Sequence, residues 1–126
     1  MQTVAVIGAS ADRRKFSNKA VRAYVARGWR VFPVNPKGEP IEGLPTFRSV
    51  RDIGEKLDRV TLYLPPQRGV DASGDMAAGA PGDFRASPGA ESDALVEESR
   101  RLGLDPILAC SIIVIGERPS SYSSET

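Results

Sequence analysis

The sequence predicts an α/β protein, a doubly wound and mainly parallel sheet of about five strands flanked by helices. Short apolar runs too brief for helices alternate with segments whose apolar residues recur at helical spacing. The first run, helix and second run together span roughly thirty residues, the size of a βαβ crossover, which implies parallel strands. A chain of 126 residues, 40% of them hydrophobic, fills one core and suits one domain better than two.

Each element follows from local signals. Thr3 to Ile7 is a β-branched run that stops at Gly8 and reads as a buried strand. After a polar loop, Ser17 or Asn18 is placed to cap a helix whose face carries Val21, Tyr24 and Val25, with Gly28 as its stop. Arg30 to Val34 resumes β character and ends at Asn35-Pro36. Lys37 to Pro45 reads as a loop. Ser49 to Asp52 then resembles a capping box opening a helix with Val50, Ile53 and Leu57 on one side, interrupted by Gly54. Val60 to Leu64 is the third strand, ended by Pro65-Pro66. Alternation places a helix near 68–79 and a strand near 83–86, although glycines and prolines puncture this stretch and Arg85 is a poor residue for a buried strand. Ser92 caps a last helix carrying Leu95, Val96, Ser99 and Leu102, with Gly103 as its stop. Pro106 to Ala109, extended by Ile112 to Ile115, is the final strand. The domain is expected over residues 1–116, with the Ser-rich stretch 117–126 as a disordered tail.

Composition narrows the chemistry. With no histidine, Ser-His-Asp and Cys-His catalysis, phosphohistidine relays and His-ligated metals are all excluded. Cys110 is the single cysteine, so an intrachain disulfide and a CxxC centre are excluded too. Its setting after an apolar run reads as packing. No catalytic residues and no metal ligands are assigned. A net charge of +1 argues against nucleic acid held by bulk charge. No apolar run reaches membrane-spanning length. Residues 3–7 enter a strand without a leader-like segment, and the expectation is a cytoplasmic protein.

Ligands of open parallel sheets bind beyond the C-terminal strand ends. Gly8 permits a tight turn there, Ala9 and Ser10 leave room for a phosphate, and the next helix offers free N–H groups. Arg13, Arg14 and Lys15 add mobile positive charge. The chain lacks the second and third glycines of the dinucleotide fingerprint and has no P-loop pattern. Asn35 and Lys37 stand at the end of strand two where an NAD site carries a carboxylate. Lysine there suits a phosphate on the ribose, as in NADP or the 3′-phosphate of coenzyme A.

VAVIGASADRRKFSNKA, GWRVFPVNPKGEPIEG, RVTLYLPP, PGAES and ILACSIIVIG together resemble the small CoA-binding domain proteins, relatives of the CoA-binding domain of succinyl-CoA synthetase. The resemblance reaches Gly116 and implies a Rossmann-like fold that binds coenzyme A or acyl-CoA along the strand edge. By this resemblance Gly8, Ala9, Ser10, Lys15, Ser17 and Asn18 contact the pyrophosphate. Val34, Asn35, Pro36 and Lys37 hold the adenine–ribose end, and Leu64, Pro65 and Pro66 line the pocket wall. Gly89 and Ala90, with Glu91, close the pantetheine side. The segment before PGAES departs from the family's apolar strand. The phosphorylated histidine and extra domain of the ligases, and the DNA-binding domain of the repressor relatives, find no counterpart within these 126 residues, so ligase activity is not expected of them. The function implied is non-catalytic cofactor binding. The alternative is a subunit of a CoA- or NADP-dependent enzyme whose catalytic residues come from a partner. The expected partners are a nucleotide cofactor and either a second copy of the chain or a CoA enzyme, with no nucleic acid and no membrane.

Overall fold

A computed structural model describes residues 2–64, 84–86, 93–103 and 106–108. Five strands, β1 (Thr3–Ile7), β2 (Arg30–Val34), β3 (Arg59–Leu62), β4 (Phe84–Ala86) and β5 (Pro106–Leu108), form one sheet in the order β2-β1-β3-β4-β5. Every pairing is parallel. The chain leaves β1 to one side to make β2 and returns on the other to make β3. The strand order therefore reverses at β1, and the crevice between the C-terminal ends of β1 and β3 is the switch point.

Alternation along the strands builds two cores. Ala5 is in register with Phe32 on one side and Val60 on the other, and Val60 with Phe84, so one row crosses four strands on the same face. Small Ala5 accommodates the Phe32 ring, which meets Phe47 edge-on at 5.7 Å. Val50, Ile53, Leu57 and Leu95 cover this face, Leu95 arriving on helix α2 (Asp93–Arg101). On the opposite face Val4, Val6 and Val31 pack under Ala20, Val21, Ala23 and Tyr24 of helix α1 (Phe16–Ala26). With helices on both faces the sheet is doubly wound, and its strands read as continuous apolar runs for that reason.

Some sequence expectations are corrected. Helix α1 starts one turn's fraction early: Lys15 is its N-cap, extended at φ −78°, ψ 144°, and no side chain caps the end. Ser17 and Asn18 lie inside the first turn, buried under the adjoining loops, so neither serves as cap. The helix expected from Ser49 shrinks to one 3-10 turn, Val50–Asp52, with the Ser49 hydroxyl accepting from the Arg51 amide. Gly54, at φ +67°, turns the backbone out of helical space. Its apolar residues reach the core regardless, because Val50, Ile53 and Leu57 are all buried. Strand β3 ends two residues before the expected Leu64. The strand expected near 83–86 exists, anchored by buried Phe84, and Gly103 follows the end of α2 as anticipated. The helix expected near 68–79, the strand 112–115, the cap Ser92, Cys110 and the tail 117–126 lie outside the described residues. Among the described residues no helix is long and apolar enough to cross a membrane.

Candidate functional site

The β1–α1 loop, the loop after β2 and the end of β3 meet at the switch point. Gly8 leaves β1 at φ +84°, and a Cβ there would stand 3.0 Å from the Tyr63 backbone and from Leu64 Cδ2. The two strand ends thus approach as closely as a residue without a side chain permits. Leu64, beside Gly8, packs on the adjoining core. Beneath this, the Val34 carbonyl accepts from both the Gly8 and Ala9 amides, at 3.1 and 3.2 Å. These two N–H groups are engaged within the fold, and Ala9 and Val34 are themselves buried. Both residues support the crevice from below.

Asn35 ties the loops together. Its Nδ2 donates to the Ala9 carbonyl at 2.7 Å, and its Oδ1 accepts from the Lys37 amide at 2.8 Å. This leaves Pro36 and Lys37 exposed at the crest of a turn. The chain then swings outward, and Ile41 and Leu44 exchange backbone hydrogen bonds across Glu42-Gly43, at φ 50° and 76°. Left-handed backbone at both central residues is the signature of a type I′ hairpin turn. Ile41 inserts into the α1-side core, and Phe47 closes the excursion against the end of β2. A cavity of about 130 Å³ results, lined by Ser10, Ala11, Asp12, Asn35, Lys37, Glu39 and Ile41. One water needs only roughly 10–15 Å³ of such space.

The cations expected to be mobile are mostly held. Arg14 grips Asp12 through two side-chain hydrogen bonds of 3.0 Å each, and the Arg14 amide donates to the same carboxylate. These bonds hold the Asp12 carboxyl down at about 2. Arg13 pairs with Glu42 at 3.5 Å. Lys15 and Lys37 are exposed and, among the described residues, make no ion pair. Asn18, fully buried, donates from Nδ2 to the Ser10 carbonyl at 2.9 Å and to Glu42 Oε2 at 3.1 Å. Its Oδ1 and the Ser17 hydroxyl are buried without a hydrogen-bond partner. Buried polar atoms are nearly always satisfied, so these two stand out; the hydroxyl can donate or accept, whereas the amide oxygen only accepts. Of the residues expected at the site, Ser10 and Asn18 are joined by the 2.9 Å hydrogen bond, Lys15 and Ser17 stand at the start of α1, and Ser10, Asn35 and Lys37 line the cavity. Pro65, Pro66, Gly89 and Ala90 lie outside the described residues.

Asp12, Glu39, Ile41 and Glu42 were not singled out from the sequence. Glu42-Gly43 between Ile41 and Leu44 carries a faint hairpin signal, overlooked within a segment read as plain loop. Among the described residues no group of acidic or sulfur ligands could hold a metal ion.

Strand order and helices on both faces define an open-sheet α/β protein, with a cavity between the β1–α1 loop and the stretch after β2. The chain belongs to the CoA binding domain family, whose profile matches residues 2–117. It is 34% identical over 65 residues to the acetate–CoA ligase (ADP-forming) II subunit alpha of Pyrococcus furiosus, a match covering 49% of this chain and 14% of that one. A second ADP-forming acetate–CoA ligase, from Methanocaldococcus jannaschii, is 28% identical over 64 residues, covering 51% of this chain and 9% of the ligase. The matches thus span a small part of these longer proteins. Among solved structures, a conserved hypothetical protein from Pyrococcus furiosus superposes with a TM-score of 0.82 at 27% identity, covering 90% of this chain and 99% of that one.

Proposed function

We propose that the chain binds coenzyme A or acyl-CoA at the switch-point crevice and performs no chemistry on it. The observation that carries this reading is the first turn of α1, which is uncapped and holds a buried, unpartnered hydroxyl, that of Ser17, in a chain of the CoA binding domain family. A pyrophosphate suits that turn: the free N–H groups and the positive end of the helix dipole attract anions, and the Ser17 hydroxyl is a further donor. Gly8 lets the ends of β1 and β3 close up beneath the ligand, Ser10 and Asn18 flank it, and Lys15 lies at the helix mouth. Arg13 adds charge at the rim. Asn35, Pro36 and Lys37 receive the adenine–ribose end, with Lys37 meeting the 3′-phosphate. Leu64 walls the pocket; Pro65, Pro66, Gly89 and Ala90, assigned to it by the family resemblance, lie outside the described residues.

The test is a thermal-shift titration. Ligand at 100 times its dissociation constant adds roughly 2.7 kcal/mol of stability. Coenzyme A is expected to shift the melting temperature more than dephospho-coenzyme A does, and equal shifts would remove Lys37 from contact with the 3′-phosphate. Lys15→Ala is expected to weaken binding while leaving the ligand-free melting temperature unchanged, since Lys15 is exposed and bonds nothing through its side chain. No shift with either compound would end the reading.

The alternative, a subunit whose catalytic residues lie on a partner chain, draws support from the ligase relatives, whose matching stretch is a small part of a longer protein. Co-purification with a histidine-bearing CoA-ligase chain would favour it. Both readings place the cofactor in the same crevice.

A further inference from the structure

Beside the first turn of α1 the protein already holds an anion of its own. Glu42 Oε2 accepts from Asn18 Nδ2 at 3.1 Å, and Glu42 Oε1 faces the Arg13 guanidinium at 3.5 Å. An amide carries two N–H donors on its nitrogen. The Ser10 carbonyl takes one of those on Asn18, so the Glu42 carboxylate takes the other. Ser10, which shares the Asn18 amide with Glu42, and Ile41, next to Glu42 in sequence, line the cavity, so this cluster adjoins the space where the ligand is proposed to lie.

The backbone of Glu42 makes a second, independent point. At φ 50° it is the one non-glycine residue with positive φ among the described residues. Asparagine or glycine is the natural choice at the first central position of a type I′ turn, and a glutamate there is strained. Strain kept at one residue invites a functional reading when that residue also reaches a site. The turn sends its carboxylate toward donors that a phosphate would otherwise use. The pair is also easily broken, since the two side chains keep 32% and 23% of their surface exposed and such ion pairs are weak.

We infer that Glu42 is a resident counter-anion. It holds Asn18 and Arg13 while the crevice lacks ligand, and the ligand's phosphate displaces it, so that its charge sets a threshold against weaker anions. This rests on the reading of the crevice as a pyrophosphate site, and the experiment separates the two. Calorimetric titrations of coenzyme A and of inorganic pyrophosphate are run on the wild-type chain and on Glu42→Gln, which keeps shape and loses charge. A melting curve checks that the variant folds.

Glu42→Gln is expected to bind both compounds about five- to tenfold more tightly, the size of effect that corresponds to losing one close like charge. Tighter pyrophosphate binding by the variant, with no coenzyme A binding by either chain, would uphold the counter-anion and overturn the cofactor assignment. Equal affinities in the two chains would overturn the counter-anion and leave the cofactor assignment standing. Weaker binding by the variant would overturn it also, assigning Glu42 to positioning Asn18 and Arg13. Binding of neither compound to either chain would overturn both. An Asn18 side-chain amide resonance that stays unmoved when pyrophosphate saturates the wild-type chain would count against displacement as well.

Discussion

At the residue scale, Gly8 shows how a single position can be legible and also understated. A glycine ending an apolar strand signals a tight turn, and the turn is there. The 3.0 Å approach of its missing Cβ to the Tyr63 backbone could not be read from sequence, because Tyr63 is 55 positions away. Gly8→Ala is expected to destabilise the chain by at least about 1–2 kcal/mol from left-handed backbone alone. A urea midpoint equal to the wild type would contradict that. Asp12 gives the matching electrostatic case. Its folded pKa, about 2, lies below the ordinary 3.8, chiefly through the Arg14 side-chain hydrogen bonds. A depressed carboxyl contributes stability that is complete above the unfolded value and is lost as pH falls through the folded one. The loop at Asp12 to Arg14 should therefore keep its pairing at pH 4 and lose it only near pH 2. The Asp12 carboxyl carbon shift, followed by NMR, checks the midpoint, and Arg14→Ala should move it up toward the ordinary carboxylate range. The three-cation run was visible in sequence, but its partners were not. Arg14 pairs two residues back and Arg13 pairs with Glu42 across the loop, which is why the charges taken as mobile are mostly held.

At the scale of elements, periodicity revealed what packing enforces and missed what packing arranges. Strands β1, β2 and β3 were readable because both faces of each are buried and their sequences are apolar throughout. The segment 50–57 has an apolar stripe yet is no helix. Burial of Val50, Ile53 and Leu57 needs only that the three side chains reach the same core, and Gly54 lets an irregular backbone deliver them. The ordered excursion from Asn35 to Phe47 looked like loop, because its structure comes from Asn35, Ile41 and Phe47 bonding or packing onto distant strands. The first turn of α1 holds a further test of function against stability. A buried hydroxyl without a partner is unfavourable, and alanine is the better helix former by about 0.5 kcal/mol. Ser17→Ala should accordingly leave the ligand-free chain as stable as the wild type or slightly more so, while weakening coenzyme A. A substitution that lowers the ligand-free melting temperature would show that Ser17 has a bonding role inside the fold.

On the scale of the whole molecule, the sheet order distributes stability unevenly, and that distribution places the crevice. Strands β1 and β3 are each paired on both sides and buried on both faces, whereas β2 and β5 stand at the ends of the strand order among the described residues. Amides in doubly paired, fully covered strands exchange only through the largest openings, while those in exposed loops exchange through small local ones. The slowest exchange should therefore be found at Val4 to Ile7 and at Val60 to Leu62. The loop Ala11 to Lys15 and the turn at Glu42 and Gly43 should exchange fastest, although the first lines the cavity and the second follows Ile41, which does. This contrast matters for binding, because the rigid strand ends fix Gly8 against Tyr63 while the rim that carries Arg13 and Glu42 can rearrange at little cost. Addition of coenzyme A should then slow the amides of Phe16, Ser17 and Asn18 most, since these face the proposed pyrophosphate and make no intrahelical bonds. Protection that rises equally across the sheet, with no excess at that first turn, would mean that ligand stabilises the fold from some other surface.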